Sequence, residues 1–256
     1  MDAGDAIQDS RTSAAPGAEP AGGVTFLLNQ PADRRQRWRA GLVLLVSVLL
    51  FGALVPFVRM PLGFLPAFIP IYESALLITD AVTAVLLFGQ YRILRSRALM
   101  VLACAYLFTA LMTVVHALSY PGVFAPGGLL GAGRQTTAAL YMFWHAGFPL
   151  FVLAYSALKR REVDAGTANA GSWFSPARPH DRFALALPAA TVAVAALLTL
   201  YATRGHEFLP NFLYPDHFGL ALTLSASAIW ALSLLGVAAL WRHRPHSVLD
   251  LSLIHI

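Results

Sequence analysis

The chain has 256 residues, of which 57% are hydrophobic and only 12% are charged. A soluble domain of this length would carry about twice that charged fraction. The apolar residues lie in long blocks and lack the strict alternation of a membrane β-strand. These features exclude an ordinary soluble domain and predict an all-α, polytopic membrane helix bundle.

Two further features narrow the class of protein. Cys104 is the single cysteine, which excludes an intrachain disulfide framework and a cysteine metal cluster. The pI is about 9.7, but the basic residues lie beside apolar blocks, where they act as topology signals. We therefore predict a lipid bilayer as partner and no nucleic acid.

Residues 1–33 are rich in Ala, Gly, Pro and Asp, and they predict a disordered N-terminal tail. Six apolar blocks follow, each of about twenty residues, which is enough to cross a hydrocarbon core of ~30 Å. We place the spans at 40–58, 71–90, 98–118, 136–157, 183–203 and 218–240.

The segments between the spans alternate in charge. Fourteen Lys and Arg residues lie in the N-terminal flank, the 91–97 loop, the 158–182 loop and the C-terminal flank, whereas the three other loops hold three. By the positive-inside rule both termini are cytoplasmic, and an even number of spans gives the same result.

The sequence stops soon after the sixth span, in "SVLDLSLIHI". The letters "SLIHI" are similar to a translated adapter remnant. We therefore expect residues 34–251 to form the membrane domain, 252–256 to be a non-native tail, and the chain to be a C-terminally truncated fragment.

Four ionisable residues lie inside the predicted spans, where charge is costly and therefore points to function. At ~1.5 Å per residue, Glu73 and His116 lie near the outer surface, whereas Asp80 and His145 lie near the bilayer middle. Glu73 and Asp80 are seven residues apart and share a helix face. We predict a two-level polar seam, with Glu73 beside His116, Asp80 beside His145, and Tyr141 extending it.

Pro149 lies one turn after His145 in "YMFWHAGFPLF" and removes a helical hydrogen bond from the His145 carbonyl. A kink beside a titratable side chain is a candidate hinge. A carboxylate–imidazole pair can share a proton and respond to pH or to a cation. Other interpretations stay open: Asp80 and His145 as a packing contact or without contact, and Glu73 and His116 in interfacial water.

Catalytic and metal sites have little support. Glu73, His116 and His145 are suitable metal ligands by type, but no close spacing of two histidines supports a site. A P-loop, a His-Glu-x-x-His motif and a nucleophile elbow are all missing from the sequence. We predict no catalytic residue, metal or cofactor, and no enzymatic activity. One further polar cluster, in the last outer loop, is expected to be solvated or to act as a lid: His206, Glu207, Asp216 and His217.

Several longer motifs fall within residues 66–159: "PIYESALLITD", "LFGQYRILRSRAL", "PGVFAPGGLLGAGRQTTAALY" and "WHAGFPLF". In these four motifs the segment resembles the fourth type of membrane-associated sensor domain, of the MASE group. The resemblance implies an integral-membrane input module of the bacterial inner membrane, placed before a histidine kinase or diguanylate cyclase. It brings no catalytic residues.

We therefore predict a sensory input module whose helix bundle switches between two states when a signal acts on the polar seam. Its expected partners are a downstream cytoplasmic signalling domain, absent from this chain, and a second copy in a homodimer. Two alternatives remain. A small proton-coupled transporter would also use a midplane carboxylate and histidine, and a membrane enzyme could use the Asp80 and His145 side chains.

Overall fold

The computed structural model describes residues 33–57, 60, 63, 67–168, 182–214, 219–242, 249–250 and 253. Six long α-helices dominate these ranges: α1 Arg34–Leu54, α2 Phe68–Leu94, α3 Arg97–Ser119, α4 Thr136–Ala168, α5 Arg182–Arg204 and α6 Leu220–Arg242. All six are long and apolar enough to cross a membrane, which confirms the all-α, six-span prediction. The predicted tails at 1–33 and 252–256 lie outside the described residues, except for Asp33 and Leu253.

Helix α1 begins with a capping box. The Asp33 carboxylate accepts a hydrogen bond from the Gln36 amide at 2.6 Å, and the Gln36 side chain accepts one from the Asp33 amide at 2.8 Å. None of the residues of α1 is buried in the structure. Its Leu, Val and Phe side chains therefore suit a lipid environment, in which an apolar helix satisfies its own backbone.

Helix α3 is the centre of the bundle. Most of its residues are buried, and it packs against α2, α4 and α5, whereas α4 also packs against α5 and α6. Small side chains permit this close packing, as is usual between membrane helices. At Gly147 on α4, a Cβ atom would collide with the ring of Phe108 on α3.

The end of the bundle that holds Arg95 and Lys159 is called the basic end; the positive-inside rule predicts that it faces the cytoplasm. Here α2 ends at Arg95, whose backbone is left-handed with φ 54°, and Ser96 caps α3. The Glu162 carboxylate of α4 accepts hydrogen bonds from the Ser96 hydroxyl at 2.7 Å and the Ala98 amide at 3.1 Å. An anion at a helix N-terminus is stabilising, so this contact fixes α4 to the start of α3.

Helix α4 continues to Ala168, beyond the predicted end of the span at 157. The added turns are charged and leave the apolar layer. Arg160 and Asp164, an exposed pair four residues apart with 3.8 Å between their charged atoms, lie on this extension. Hydropathy locates the membrane-crossing part of a helix, but charged residues do not end the helix.

At the other end of the bundle, two side chains at the start of α4 tie the connecting loops together. The Gln135 amide donates to the Leu213 carbonyl at 2.8 Å and accepts from the Phe212 and Leu213 amides at 3.1 and 3.0 Å. The Thr136 hydroxyl donates to the Ala202 carbonyl at 2.7 Å. These bonds hold the start of α4 against the α5–α6 connection.

Candidate functional site

Glu73 and His116 lie against each other where α2 packs on α3. The Glu73 Oε1 atom is 2.5 Å from the His116 Nδ1 atom. Glu73 is only 3% exposed and His116 only 6%. The structure therefore brings these two residues of the predicted seam together in the protein interior and excludes the alternative in which interfacial water surrounds both.

The surroundings of this pair are aromatic. The His116 ring centroid lies 5.8 Å from that of Tyr120 and 6.2 Å from those of Tyr141 and Trp144. The second carboxylate oxygen of Glu73, Oε2, is buried and has no hydrogen-bond partner among the described residues. In such a medium a carboxylate–imidazole hydrogen bond is strong, and the loss of either partner leaves the other desolvated.

His145 turns toward its own helix. Its Nδ1 atom lies 2.9 Å from the Tyr141 carbonyl, one turn earlier on α4. Because a carbonyl only accepts, Nδ1 carries the proton in this bond, and a neutral ring keeps Nε2 as an acceptor. The Tyr141 ring stacks on the imidazole at 3.8 Å between centroids, and Trp144 lies at 4.7 Å. Tyr141 thus contacts both histidines of the predicted seam.

Asp80 and His145 line one cavity and do not form the predicted direct pair. The cavity has a volume of about 530 Å³ and lies between α2, α3, α4 and α6. No hydrogen bond or ion pair joins Asp80 to His145 in the described part of the chain; the Thr109 side chain lies on the same wall and donates to the Tyr106 carbonyl at 3.0 Å. The His145 ring is held by the Tyr141 carbonyl and by stacking.

The wall of this cavity, which we call the aromatic cavity, combines many rings with few polar groups. Asp80, Thr109, His145 and Ser233 are the polar side chains other than tyrosines, and the aromatic rings are those of Tyr72, Tyr106, Tyr141, Trp144, Phe148 and Trp230. Three of these rings, those of Tyr141, Trp144 and Phe148, belong to α4. Phe143 instead lies near Tyr201, with 6.1 Å between ring centroids.

Helix α6 contributes to the cavity wall in a way that was not predicted from the sequence. Ala226, Ile229, Trp230 and Ser233 line the cavity. Their spacing of three, four and seven residues marks one helix face, so periodicity could have identified the stripe. None of these four residues is ionisable, however, so they could not be identified as intramembrane charged residues.

Pro149 lies inside α4, is buried, and also lines the aromatic cavity. The candidate hinge is therefore adjacent to the candidate ligand space. Its role as a hinge stays a prediction.

A second polar cluster, at the basic end, was not predicted. The Tyr155 hydroxyl donates to Asp250 Oδ1 at 2.9 Å, and Lys159 Nζ to Asp250 Oδ2 at 2.5 Å. Asp250 is 3% exposed, and its neighbours Leu249 and Leu253 are buried as well. These contacts join residues more than 90 positions apart, so no local pattern could reveal them.

The remaining candidates from the sequence form no cluster among the residues that the structure describes. No three His, Cys, Asp or Glu side chains are grouped for metal binding among the described residues. Cys104 is buried with Tyr91 and Met100 as a small apolar side chain. In the last outer loop the His206 ring bonds the Thr203 carbonyl at 3.0 Å and packs on Gly133. Glu207 is exposed, whereas Asp216 and His217 lie outside the described residues.

Comparison with known proteins identifies one segment. Residues 64–175 match the family model MASE4, described as "Membrane-associated sensor, integral membrane domain". No curated protein and no solved structure matches the chain. The resemblance noted in the sequence is therefore confirmed over this segment, which is similar to the integral membrane domain of membrane-associated sensors, and the six candidate spans make the chain a multi-pass membrane protein. The segment carries α2, α3 and the whole of α4, and with them six residues singled out above: Glu73, Asp80, His116, Tyr141, His145 and Pro149.

Proposed function

We propose that this chain is the sensory input of a bacterial signalling protein of the inner membrane, and that it controls a cytoplasmic histidine kinase or diguanylate cyclase. The observation that carries the proposal is the match to a membrane sensor family over the helices that form most of the aromatic cavity. A buried pair of ionisable side chains beside a ligand-sized cavity suits recognition better than lipid packing alone.

Helix α4 provides the route from the cavity to the basic end. Tyr141, His145 and Pro149 line the cavity, and two to three turns later Tyr155 and Lys159 hold Asp250. A ligand that occupies the cavity in only one arrangement of α4 shifts the population toward that arrangement. Because Pro149 lacks an amide proton, bending at this turn breaks no hydrogen bond from that residue.

The proposal is tested by fusing the chain through residue 251 to a diguanylate cyclase domain and measuring the cyclic dinucleotide in cells. We expect Asp80→Asn and His145→Ala to fix the output at one level across growth conditions that vary it in the parent fusion. Asp164→Asn, an exposed carboxylate on the same helix as His145, serves as control. Regulated output that stays unchanged in both cavity variants, at equal membrane levels, would overturn the proposal.

A proton-coupled transporter is the main rival, because it would use the same residue types. Such carriers place their sites at broken helices, whereas α2 and α3 are continuous helices in this structure. Proton flux into proteoliposomes that depends on Asp80 would favour the transporter and overturn the sensor proposal. A membrane enzyme would instead turn over a substrate in the same preparation.

The predicted homodimer belongs to the same proposal. The lipid-facing α1 and α6, which have few or no buried residues, leave room for a second copy. The homodimer is tested by crosslinking in native membranes, with single cysteines introduced on α1 or α6 in a Cys104→Ser background. Crosslinking that is lost when the chain is diluted with excess lipid would contradict a stable dimer.

A further inference from the structure

The aromatic cavity contains a carboxylate without a cationic neighbour. Asp80 is half-buried, and neither lysine nor arginine lies on the wall that the described residues form around it. The Thr109 hydroxyl on the same wall donates its hydrogen bond to the Tyr106 carbonyl. A carboxylate near the middle of a membrane is costly unless a proton or another cation compensates it.

The rest of the wall favours a cation over other ligands. The rings of Tyr72, Tyr106, Tyr141, Trp144, Phe148 and Trp230 surround the space, and the face of an aromatic ring attracts positive charge. An anion in the cavity would be repelled by the Asp80 carboxylate, and no lysine or arginine on the described wall compensates this repulsion. A metal cation would need several oxygen ligands, whereas this wall offers one carboxylate and a few hydroxyl groups.

We propose that the aromatic cavity binds a small organic monocation, of the alkylated or aromatic ammonium class, with its charge beside Asp80 and its apolar body against the rings. The inference rests on the proposed function, because it names the ligand class of the sensor site. A volume of about 530 Å³ lies within the range of small-molecule sites. His145 Nε2 can accept a hydrogen bond from a ligand N–H group, since Nδ1 is held by the Tyr141 carbonyl.

The wall also suggests where such a ligand enters. Trp230 on α6 is 65% exposed and Tyr72 on α2 is 47% exposed, although both line the cavity. These two rings therefore lie at the cavity mouth, on the lipid-facing surface. A lipophilic cation dissolved in the bilayer can reach Asp80 by this path.

The test uses the purified full chain in lipid nanodiscs and a matched pair of probes. Tritiated benzyltrimethylammonium is the cation, and neopentylbenzene is its uncharged isostere with carbon in place of nitrogen. Binding is measured by scintillation proximity, with the isostere added as competitor. We expect saturable binding of the cation that the isostere does not displace at equal concentration.

Two variant pairs locate the site. Asp80→Asn should weaken binding of the cation by about 10- to 100-fold, because it removes the carboxylate charge that attracts the quaternary ammonium, while Asp80→Glu retains binding. Tyr106→Leu should weaken it, whereas Tyr106→Phe, which keeps the ring, should not. Asp164→Asn should bind as the parent does. The contrast between Tyr106→Leu and Tyr106→Phe locates the site even if Asp80→Asn fails to fold.

Three results would overturn the inference: no saturable binding of the cation, displacement by the isostere at equal concentration, or full binding in a folded Asp80→Asn protein. The second would indicate a site that recognises the apolar shape shared by both probes, and the third a site that does not use the Asp80 charge. The assay needs no output domain, so its result is separate from the signalling test. A chain that binds the cation but does not regulate a fused output would overturn only the sensor proposal.

Discussion

The buried pair of Glu73 and His116 provides the sharpest test of the packing between α2 and α3. His116→Leu leaves a carboxylate that is 3% exposed without its partner, and breaking a buried pair in this way costs about 3–5 kcal/mol. Glu73→Leu leaves an imidazole, which is neutral at lower cost, so we expect a loss of about 1–3 kcal/mol. With both residues changed, no unpaired group remains and the free energy of unfolding should recover.

The double-mutant cycle is measured by reversible unfolding in mixed micelles of dodecylmaltoside and SDS, followed by tryptophan fluorescence. We expect a coupling energy of about 2 kcal/mol or more between Glu73 and His116. The exposed pair Arg160 and Asp164 gives a contrasting cycle, in which screening reduces the coupling to near zero. The reasoning fails if His116→Leu costs nothing, or if the losses of the two single variants simply add.

Three further substitutions test the helix packing and the two contacts at the basic end. Gly147→Ala should lower the free energy of unfolding by about 1–3 kcal/mol because of the overlap with α3, whereas Gly89→Ala, with open space around it, should change it little or raise it by up to about 1 kcal/mol. Glu162→Gln should lower the free energy of unfolding by about 1 kcal/mol, because it removes the negative charge at the N-terminus of α3. Asp164→Asn should have no measurable effect, and both variants are measured in the same micelles. Asp250→Asn should speed proteolysis near the end of the chain, and an unchanged cleavage rate would contradict a fixing role for that carboxylate.

The helices could be predicted because the bilayer imposes a length. About twenty apolar residues are needed to cross it, and each of the six blocks supplies them. The extension of α4 to Ala168 could not be predicted in this way. Past the apolar layer, Glu162 stabilises α4 through a contact with the start of α3, and that contact depends on the tertiary arrangement.

The level of the site residues along their helices could be predicted from the sequence, whereas the rotation of each helix about its own axis could not. The rise per residue is fixed, so Glu73 and His116 on adjacent helices could be assigned to one level. The same argument assigns Asp80 and His145 to one level, but it does not say which way each helix is turned. In the structure α2 and α4 both pack on α3, and a cavity takes the place of a direct contact.

The packing also indicates which helices can respond to a ligand. Glu73 and His116 join α2 to α3, and 78% of the most apolar stretch of α3 is buried, so relative motion of these two helices would disrupt the interior. Helix α6 has only 6% of its corresponding stretch buried and packs on α4. When α6 moves, the lipid contacts that it loses are replaced by equivalent lipid contacts, so little buried protein area is lost. A ligand in the cavity therefore acts against a fixed wall of α2 and α3, and its binding energy is available to move α6 and the part of α4 beyond Pro149, where Tyr155 and Lys159 hold Asp250.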